Sequence, residues 1–179
     1  MLSILLNHYF CKKYFMRVVL VCLVAVSLLS SSCLKKDNGC SYKDDGVVAP
    51  VPEQQALKAY LDTAGITASL DKSGFYYQVI HTGSGAVPGL CSQIEVTYKG
   101  QLTSGKIFDQ QFSTVFSSLG SLIDGWKKGL PLIEKSGEIK LYIPPSLGYG
   151  MKNVTDNYGN VVIPSNSILI FDISLINVQ

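Results

Sequence analysis

The sequence predicts an α+β fold in which a helix lies on one face of an antiparallel sheet of about five strands. Three observations indicate this class. Apolar residues alternate with a period of two in several segments after residue 74, one short segment with helical spacing interrupts them, and a second such segment precedes them. With 179 residues, of which 47% are apolar, the chain is long enough for one sizeable core.

Alternating apolar side chains mark the predicted strands. The strands run over residues 75–80, 94–99, 107–109, 138–143 and 168–178. Period-two alternation places Tyr98 on the apolar face of the second strand. Residues 110–120 fit either a short edge strand or an irregular loop. Residues 151–167 are rich in asparagine and contain a glycine and a proline, so they predict a long loop.

Two segments have helical spacing. In residues 53–64 apolar side chains recur every three or four positions, a proline precedes the first turn and a glycine follows the last. Residues 122–130 have the same spacing around the chain's only tryptophan. Asp124 lies near the positive end of that helix dipole, and a glycine and a proline end the helix.

The N-terminus has the layout of a secretory signal peptide. Residues 18–29 form an uncharged apolar run that follows three basic residues and precedes three serines and Cys33. The run is shorter than the ~20 residues that span a bilayer, so a transmembrane anchor is the lesser alternative. We assign residues 1–32 to the signal peptide.

The end of this signal resembles a bacterial lipobox, Leu-Ser-Ser-Ser-Cys at residues 29–33. In such a motif the cysteine becomes the lipidated first residue of the mature protein. The resemblance implies lipidation of Cys33 and a lipid anchor to a membrane of the bacterial cell envelope, either periplasm-facing or in the outer membrane. An ordinary signal with an incidental cysteine is the alternative.

Composition divides the rest of the chain into three parts. Residues 33–52 predict a polar tether, residues 53–71 the N-terminal helix with a linker, and residues 72–179 the folded domain. Without residues 1–32 the chain keeps 12 of its 15 basic residues and all 13 acidic ones, so its net charge changes from +2 to −1. The only arginine is lost as well, which argues against nucleic acid as a partner.

The five cysteines separate by position. Two leave with the signal and Cys33 would carry lipid, so Cys40 and Cys91 remain. In an oxidising envelope these two would form a disulfide that joins the tether to the domain. Two free thiols are the alternative.

The sequence contains no motif for a metal site or for a nucleophilic active site. Of the two histidines, His8 lies in the signal region and His81 at a strand end, so no metal site is predicted. A Cys91–His81 dyad would compete with thiol pairing. The Gly-Ser-Gly at residues 83–85 lacks the Gly-Lys-Ser/Thr sequence of a phosphate loop, and no cofactor is predicted.

Five motifs occur in a fixed order along the domain. They are Val-Thr-Tyr-Lys-Gly at 96–100, Gly-Lys-Ile-Phe-Asp at 105–109, Leu-Ile-Asp-Gly-Trp-Lys-Lys-Gly-Leu at 122–130, Ile-Pro-Pro-Ser-Leu-Gly-Tyr-Gly at 143–150, and Ile-Pro at 163–164 with Leu-Ile-Phe-Asp-Ile at 169–173. Together they resemble the FKBP-type peptidyl-prolyl cis-trans isomerases over residues 73–179. The resemblance implies an antiparallel sheet wrapped around a short helix.

The same resemblance implies an apolar pocket for proline-containing segments, with macrolide-type inhibitors as further ligands. The implied catalytic residues are Tyr98, Asp109 and Tyr149, and the implied substrate-binding residues are Phe108, Leu122, Ile123, Trp126, Ile163 and Phe171. Trp126 would be the pocket floor, Ile123 would offer its backbone N–H to a substrate carbonyl, and the Tyr149 hydroxyl would hold another carbonyl. Core packing alone would also explain the aromatic members.

One corner departs from the family pattern. Where the family has two aromatic positions separated by one residue, Val115 and Ser117 take those places and Phe116 is out of phase. We therefore expect this corner of the pocket to be wider or less aromatic.

The family resemblance, together with the signal layout, implies a membrane-tethered prolyl isomerase for exported or envelope proteins. Rotation about a peptide C–N bond needs no nucleophile, metal or cofactor, because an apolar site favours the twisted amide over the planar one. A non-catalytic chaperone module that holds proline-containing segments in the same groove is the alternative. A structural lipoprotein with an inactive groove is the third hypothesis.

Overall fold

Residues 40–179 are the part of the chain that the computed structural model describes, and the predicted signal peptide and Cys33 lie outside it. This part contains the helices α1 (Val51–Thr63) and α2 (Asp124–Gly129). Its strands are β1 (Ser69–Leu70), β2 (Tyr76–His81), β3 (Ile94–Leu102), β4 (Ile107–Phe116), β5 (Glu138–Ile143), β6 (Val154–Thr155), β7 (Val161–Ile163) and β8 (Leu169–Val178). Short 3-10 turns span Leu119–Ser121, Leu130–Leu132 and Pro145–Leu147. None of the helices within residues 40–179 is both long and apolar enough to cross a membrane.

The described residues form one six-stranded antiparallel sheet in the order β1-β2-β5-β8-β3-β4, and β6 and β7 pair as a separate hairpin. The α+β class is confirmed, but the prediction of about five strands was too low. Strands β1, β6 and β7 have only two, two and three residues, too few for a period-two pattern to stand out. The hairpin also interrupts the long loop predicted at residues 151–167. Residues 110–116 continue β4 as an edge strand.

One face of the sheet buries the main core. Alternate residues of β3 from Ile94 to Tyr98 are buried, as the pattern predicts, and so are alternate residues of β8 from Leu169 to Leu175. Because β3 and β8 are neighbours in the sheet, their apolar residues form one continuous surface. That surface faces α2 and becomes the base of the candidate site.

Helix α2 lies directly on the sheet. A Cβ atom on Gly125 would overlap Ile143, and a Cβ atom on Gly129 would overlap Leu141. Two glycines on the sheet side of a six-residue helix therefore let its backbone approach β5 more closely than larger residues would allow. The helix begins at Asp124 and not at residue 122, so residues 122 and 123 of the predicted helix precede it and are not helical.

The opposite face of the sheet is covered by α1. This helix begins at Val51, slightly before the predicted start, and buries Leu57 and Leu61 against Tyr142 and Ile170 of the sheet. Burial of each leucine side chain stabilises the fold by about 2 kcal/mol. Strands β5 and β8 are therefore covered on both faces, which the expectation of a helix on one face did not include.

Residues 40–52, the described portion of the predicted tether, lie against the domain. Ala49 is buried, and its N–H donates to the Ser73 carbonyl oxygen at 2.9 Å. A disulfide joins Cys40 to Cys91, whose Cα atoms are 5.7 Å apart and whose positions are 51 residues apart in sequence. Closing a loop of that length stabilises a fold by roughly 4 kcal/mol in the chain-entropy account. The residues predicted as a tether thus include contacts to the folded domain whose partners are distant in sequence.

Candidate active site

A cavity of about 420 Å³ opens between α2 and the aromatic side chains of β3, β4 and β8. All nine residues proposed from the sequence as catalytic or substrate-binding line this cavity: Tyr98, Phe108, Asp109, Leu122, Ile123, Trp126, Tyr149, Ile163 and Phe171. Four further lining residues were missed, namely Phe116, Ser121, Val154 and Val162. The structure therefore brings together residues from six separate segments of the chain.

Trp126 forms the floor of the cavity and is 4% exposed. Its ring is nearly perpendicular to those of Tyr98, Phe116 and Phe171, with centroid distances of 5.2, 5.9 and 5.2 Å. Phe108 packs on Phe171 in the same edge-to-face manner at 5.5 Å. Such edge contacts join the positive rim of one ring to the negative face of another. Five aromatic rings therefore hold one another in place around the apolar floor.

The polar edge of the cavity is built by the pairing of β3 with β4. Gly100 faces Asp109 across the ladder, which places Tyr98 and Asp109 on the same side of the sheet. The Tyr98 hydroxyl donates to Asp109 Oδ2 at 2.5 Å. Burial, together with the adjacent Asp109 carboxylate, raises the pKa of Tyr98. The Tyr98 hydroxyl therefore stays protonated over the ordinary pH range and remains a hydrogen-bond donor.

Tyr149 stands at the mouth of the cavity, just after the 3-10 turn Pro145–Leu147. Its ring is 40% exposed, and burial, followed by the charge of Asp109, raises the pKa of its hydroxyl. Because that hydroxyl stays neutral, it remains a hydrogen-bond donor for a ligand that enters the cavity.

Ile123 is the residue before the first turn of α2, and its carbonyl accepts from Trp126 N–H at 2.9 Å and Lys127 N–H at 3.1 Å. The Ile123 N–H has no helical carbonyl available to it at this position. Within residues 40–179 no other acceptor bonds to it either. The geometry thus leaves a backbone donor at the wall of the cavity.

The hairpin β6–β7 forms the remaining wall through Val154, Val162 and Ile163. Its turn is organised by Asp156, whose carboxylate accepts from the N–H groups of Tyr158 and Asn160, both at 2.9 Å. The sequence signal for this hairpin was a Val-Thr pair and a Val-Val-Ile run around Asp-Asn-Tyr-Gly-Asn, which is turn chemistry that the long-loop interpretation overlooked.

The expectation that Phe116 is out of phase with the cavity was wrong. The register of β4 against β3 shifts between Tyr98 and Val96, because Phe112 and Ser113 together oppose the single residue Thr97. This bulge reverses the alternation beyond it, so Phe116 turns toward the cavity while Val115 is 53% exposed. One extra residue thus places one aromatic ring in this corner of the cavity.

Residues 86–176, just over half of the chain, match the sequence model of the FKBP-type peptidyl-prolyl cis-trans isomerase family. The chain belongs to this family. The resemblance that the five ordered motifs carried is therefore confirmed. The matched stretch includes all the residues that line the cavity.

Curated FKBP-type relatives align with this domain. The chain is 40% identical to the FKBP-type peptidyl-prolyl cis-trans isomerase FkpA of Escherichia coli over 110 residues, which cover 60% of this chain and 38% of that protein. The FkpA of Buchnera aphidicola from Baizongia pistaciae is 42% identical over 158 residues, or 84% of this chain and 61% of the relative. The chain thus spans less than two thirds of the length of each of these relatives.

Solved structures support the same FKBP-type fold. The crystal structure of FkpA from Escherichia coli superposes with a TM-score of 0.61 and 35% identity, covering 72% of this chain and 60% of that one. A peptidyl-prolyl cis-trans isomerase from Pseudomonas syringae superposes with a TM-score of 0.61 and 28% identity, covering 73% of this chain and 97% of that one.

The bulge in β4 makes a testable distinction between two adjacent residues of this FKBP-type pocket. Replacing Phe116 by Ala should weaken the binding of a short X-Pro peptide roughly tenfold, because the edge contact with Trp126 and the apolar wall are lost. The matched change Val115→Ala should alter binding by less than about twofold, because that side chain points to solvent. Titration followed by Trp126 fluorescence measures both. A larger effect at Val115 would contradict the register described above.

The buried tyrosine predicts alkaline destabilisation. A pKa raised in the folded state favours folding fully below the unfolded value of about 10, and that advantage is lost as the pH rises toward the folded value. The free energy of unfolding should therefore decline above about pH 10, and Tyr98→Phe should reduce the steepness of this decline. Urea denaturation at stepped pH measures it. Tyr158→Phe, at a 91% exposed tyrosine, is the control and should leave the slope unchanged.

Proposed function

We propose that this protein is a peptidyl-prolyl cis-trans isomerase that accelerates rotation about X-Pro bonds in proline-containing polypeptides. The observation that carries the proposal is the apolar cavity floored by Trp126, which has a fixed Tyr98–Asp109 pair and the Ile123 N–H at its edge. Family membership supports the same reaction. The proposal concerns the domain itself, since the curated relatives are longer proteins.

The reaction requires the protein to favour a twisted amide. In water the planar amide is held by resonance, and rotation has a barrier of roughly 18–20 kcal/mol. The twisted amide loses that resonance and its charge separation, so a cavity with little water favours it relative to the planar form. A proline ring resting on Trp126 would place the rotating bond among the aromatic walls.

Two donors would then control the substrate carbonyl groups. The Ile123 N–H would bind one carbonyl next to the proline, and the Tyr149 hydroxyl would bind a second at the mouth of the cavity. The Asp109 carboxylate, held in place by Tyr98, would be the fixed polar group beside the carbonyl that leaves the amide plane. Because these groups are positioned before the substrate arrives, little reorganisation accompanies the twist.

Isomerase activity with matched carboxylate variants tests this proposal. The domain should accelerate isomerisation of a short X-Pro peptide in a protease-coupled assay, and Asp109→Val and Tyr98→Phe should each lower kcat/KM by about tenfold to a hundredfold. Asp62→Val removes an exposed carboxylate on α1 and should leave kcat/KM unchanged. Absence of activity above background in the unmodified protein would refute the proposal. If aggregation of an unfolded client were still suppressed in that case, a non-catalytic chaperone module would replace it, and failure to bind proline peptides or macrolides would indicate a structural lipoprotein.

We further propose that the protein acts in the bacterial cell envelope, on exported proteins, from a lipid anchor at Cys33. The support is the signal layout of residues 1–32 and the lipobox at residues 29–33. Each buried lipid methylene contributes about 0.8 kcal/mol to membrane binding. A disulfide between Cys40 and Cys91 is compatible with an oxidising compartment.

Labelling with radioactive palmitate in a bacterial host tests the anchor. The unmodified protein should be labelled and sediment with membranes, and Cys33→Ala should lose both properties. Cys22→Ala, which changes a cysteine of the predicted signal, should retain them. An unlabelled protein that remains in membranes would favour the transmembrane alternative, and an unlabelled soluble form would favour an ordinary signal.

A further inference from the structure

We propose that the N-terminal strap, residues 40–53, is a positioning element for the pocket, in which Tyr42 and Glu53 each fix one catalytic wall. As a statement about catalysis it rests on the isomerase function proposed above. The strap precedes the stretch that matches the family model, which begins at residue 86. Its contacts reach the two segments that carry the Ile123 and Tyr149 donors.

The first contact joins Tyr42 to the wall that leads to Ile123. The Tyr42 ring lies so close to Gly120 that a Cβ atom on this glycine would overlap it. Gly120 belongs to the 3-10 turn Leu119–Ser121, and the three residues that follow Gly120 all line the cavity. The position of the ring therefore bears directly on the backbone that carries Ile123.

The second contact of the strap is the disulfide to the loop around Cys91, and this loop holds the same turn. Gly120 N–H donates to the Leu90 carbonyl at 2.7 Å, and Leu119 N–H donates to the Ser92 carbonyl at 3.0 Å. The disulfide from the start of the strap enters this same loop at Cys91. The turn thus contacts both the ring of the strap and the loop to which the strap is covalently bonded.

A third contact connects the strap to α2. Lys128 Nζ lies 2.6 Å from Asp44 Oδ1, and the Lys128 side chain is only 11% exposed. The hydrogen bond from Lys128 lowers the pKa of Asp44. An ion pair with one exposed partner contributes little stability. Its effect here is orientation, because Lys128 is in the last turn of the helix that carries Trp126.

The fourth contact reaches the opposite wall. Glu53, in the first turn of α1 where the strap ends, accepts a hydrogen bond from Ser146 N–H at 2.8 Å. Ser146 is in the 3-10 turn Pro145–Leu147, which immediately precedes the segment carrying Tyr149. Gln54 Nε2 donates to the Ala49 carbonyl at 2.7 Å and ties the helix start back to the strap. One segment therefore holds both walls of the cavity.

Both contacted walls are short turns outside the strand ladder, so sheet pairing does not fix them. A 3-10 turn of three residues has few internal hydrogen bonds, and its position depends on neighbouring contacts. Misplacement of a donor by about 1 Å can lower a catalytic rate up to a hundredfold. The strap supplies two of these neighbouring contacts, from Tyr42 to Gly120 and from Glu53 to Ser146.

Substitutions in the strap test the proposal without touching the cavity. Tyr42→Ala and Glu53→Ala should each lower kcat/KM roughly tenfold while the protein remains folded by circular dichroism. The conservative changes Tyr42→Phe, which keeps the ring, and Glu53→Gln, which keeps an acceptor, should restore activity to within about twofold. Ile80→Ala removes a 63% exposed apolar side chain from β2, away from the strap and the cavity, and serves as the control with unchanged activity.

Amide NMR resonances separate this proposal from the isomerase function. Tyr42→Ala should shift the Ile123 amide, and Glu53→Ala should shift the Tyr149 amide, whether or not the protein is an active isomerase. If the unmodified protein is inactive, these shifts alone decide the role of the strap. Folded variants with unchanged kcat/KM and unchanged resonances would overturn it. Should Tyr42→Ala not fold, Tyr42→Leu keeps apolar bulk without the flat ring and receives the same test.

Discussion

The burial of Trp126 among perpendicular aromatic rings is the constraint on which the rest of the site depends. Helix α2 has six residues, too few to be stable by itself, so tertiary contacts must fix it. The tryptophan supplies these contacts on the cavity side, and the glycines at 125 and 129 allow close approach on the sheet side. Because β3 and β8 each contribute one of the rings, the pairing of these two strands builds both the sheet and the pocket. Loss of register in either strand would disturb both.

Much of the fold and site could be predicted because its signals are local. Strands β3, β5 and β8 are recognisable from the alternation of apolar and polar residues. The site residues from Tyr98 to Phe171 lie in motifs that occur in a fixed order. What was missed depends on contacts distant in sequence. The bulge that turns Phe116 inward needs the register with β3, the hairpin walls have two and three residues, and the packing of Tyr42 on Gly120 joins positions far apart. The contacts that residues 40–52 make with the domain likewise could not be predicted from their polar composition.

The central strands of the sheet are held firmly because apolar side chains pack on both of their faces. Helix α1 buries Tyr142 and Ile170 on the side opposite the cavity, and the burial of Tyr142 raises its pKa to about 12. Strands β5 and β8 therefore cannot flex without exposing apolar side chains on one face or the other. The walls that carry the Ile123 and Tyr149 donors lie outside this covered part of the sheet, so they depend on other contacts for their position.

The two edge strands of the sheet, β1 and β4, have a consequence for the protein's own solubility. An open row of unpaired N–H and C=O groups is a template on which extended chains add as extra strands. Here β1 offers only two residues, and the ten-residue β4 is broken by two register shifts. No long regular run is left on either side for an incoming chain to pair with. A protein proposed to handle unfolded segments is thus protected against co-aggregating with them, and the same bulge that completes its pocket provides part of that protection.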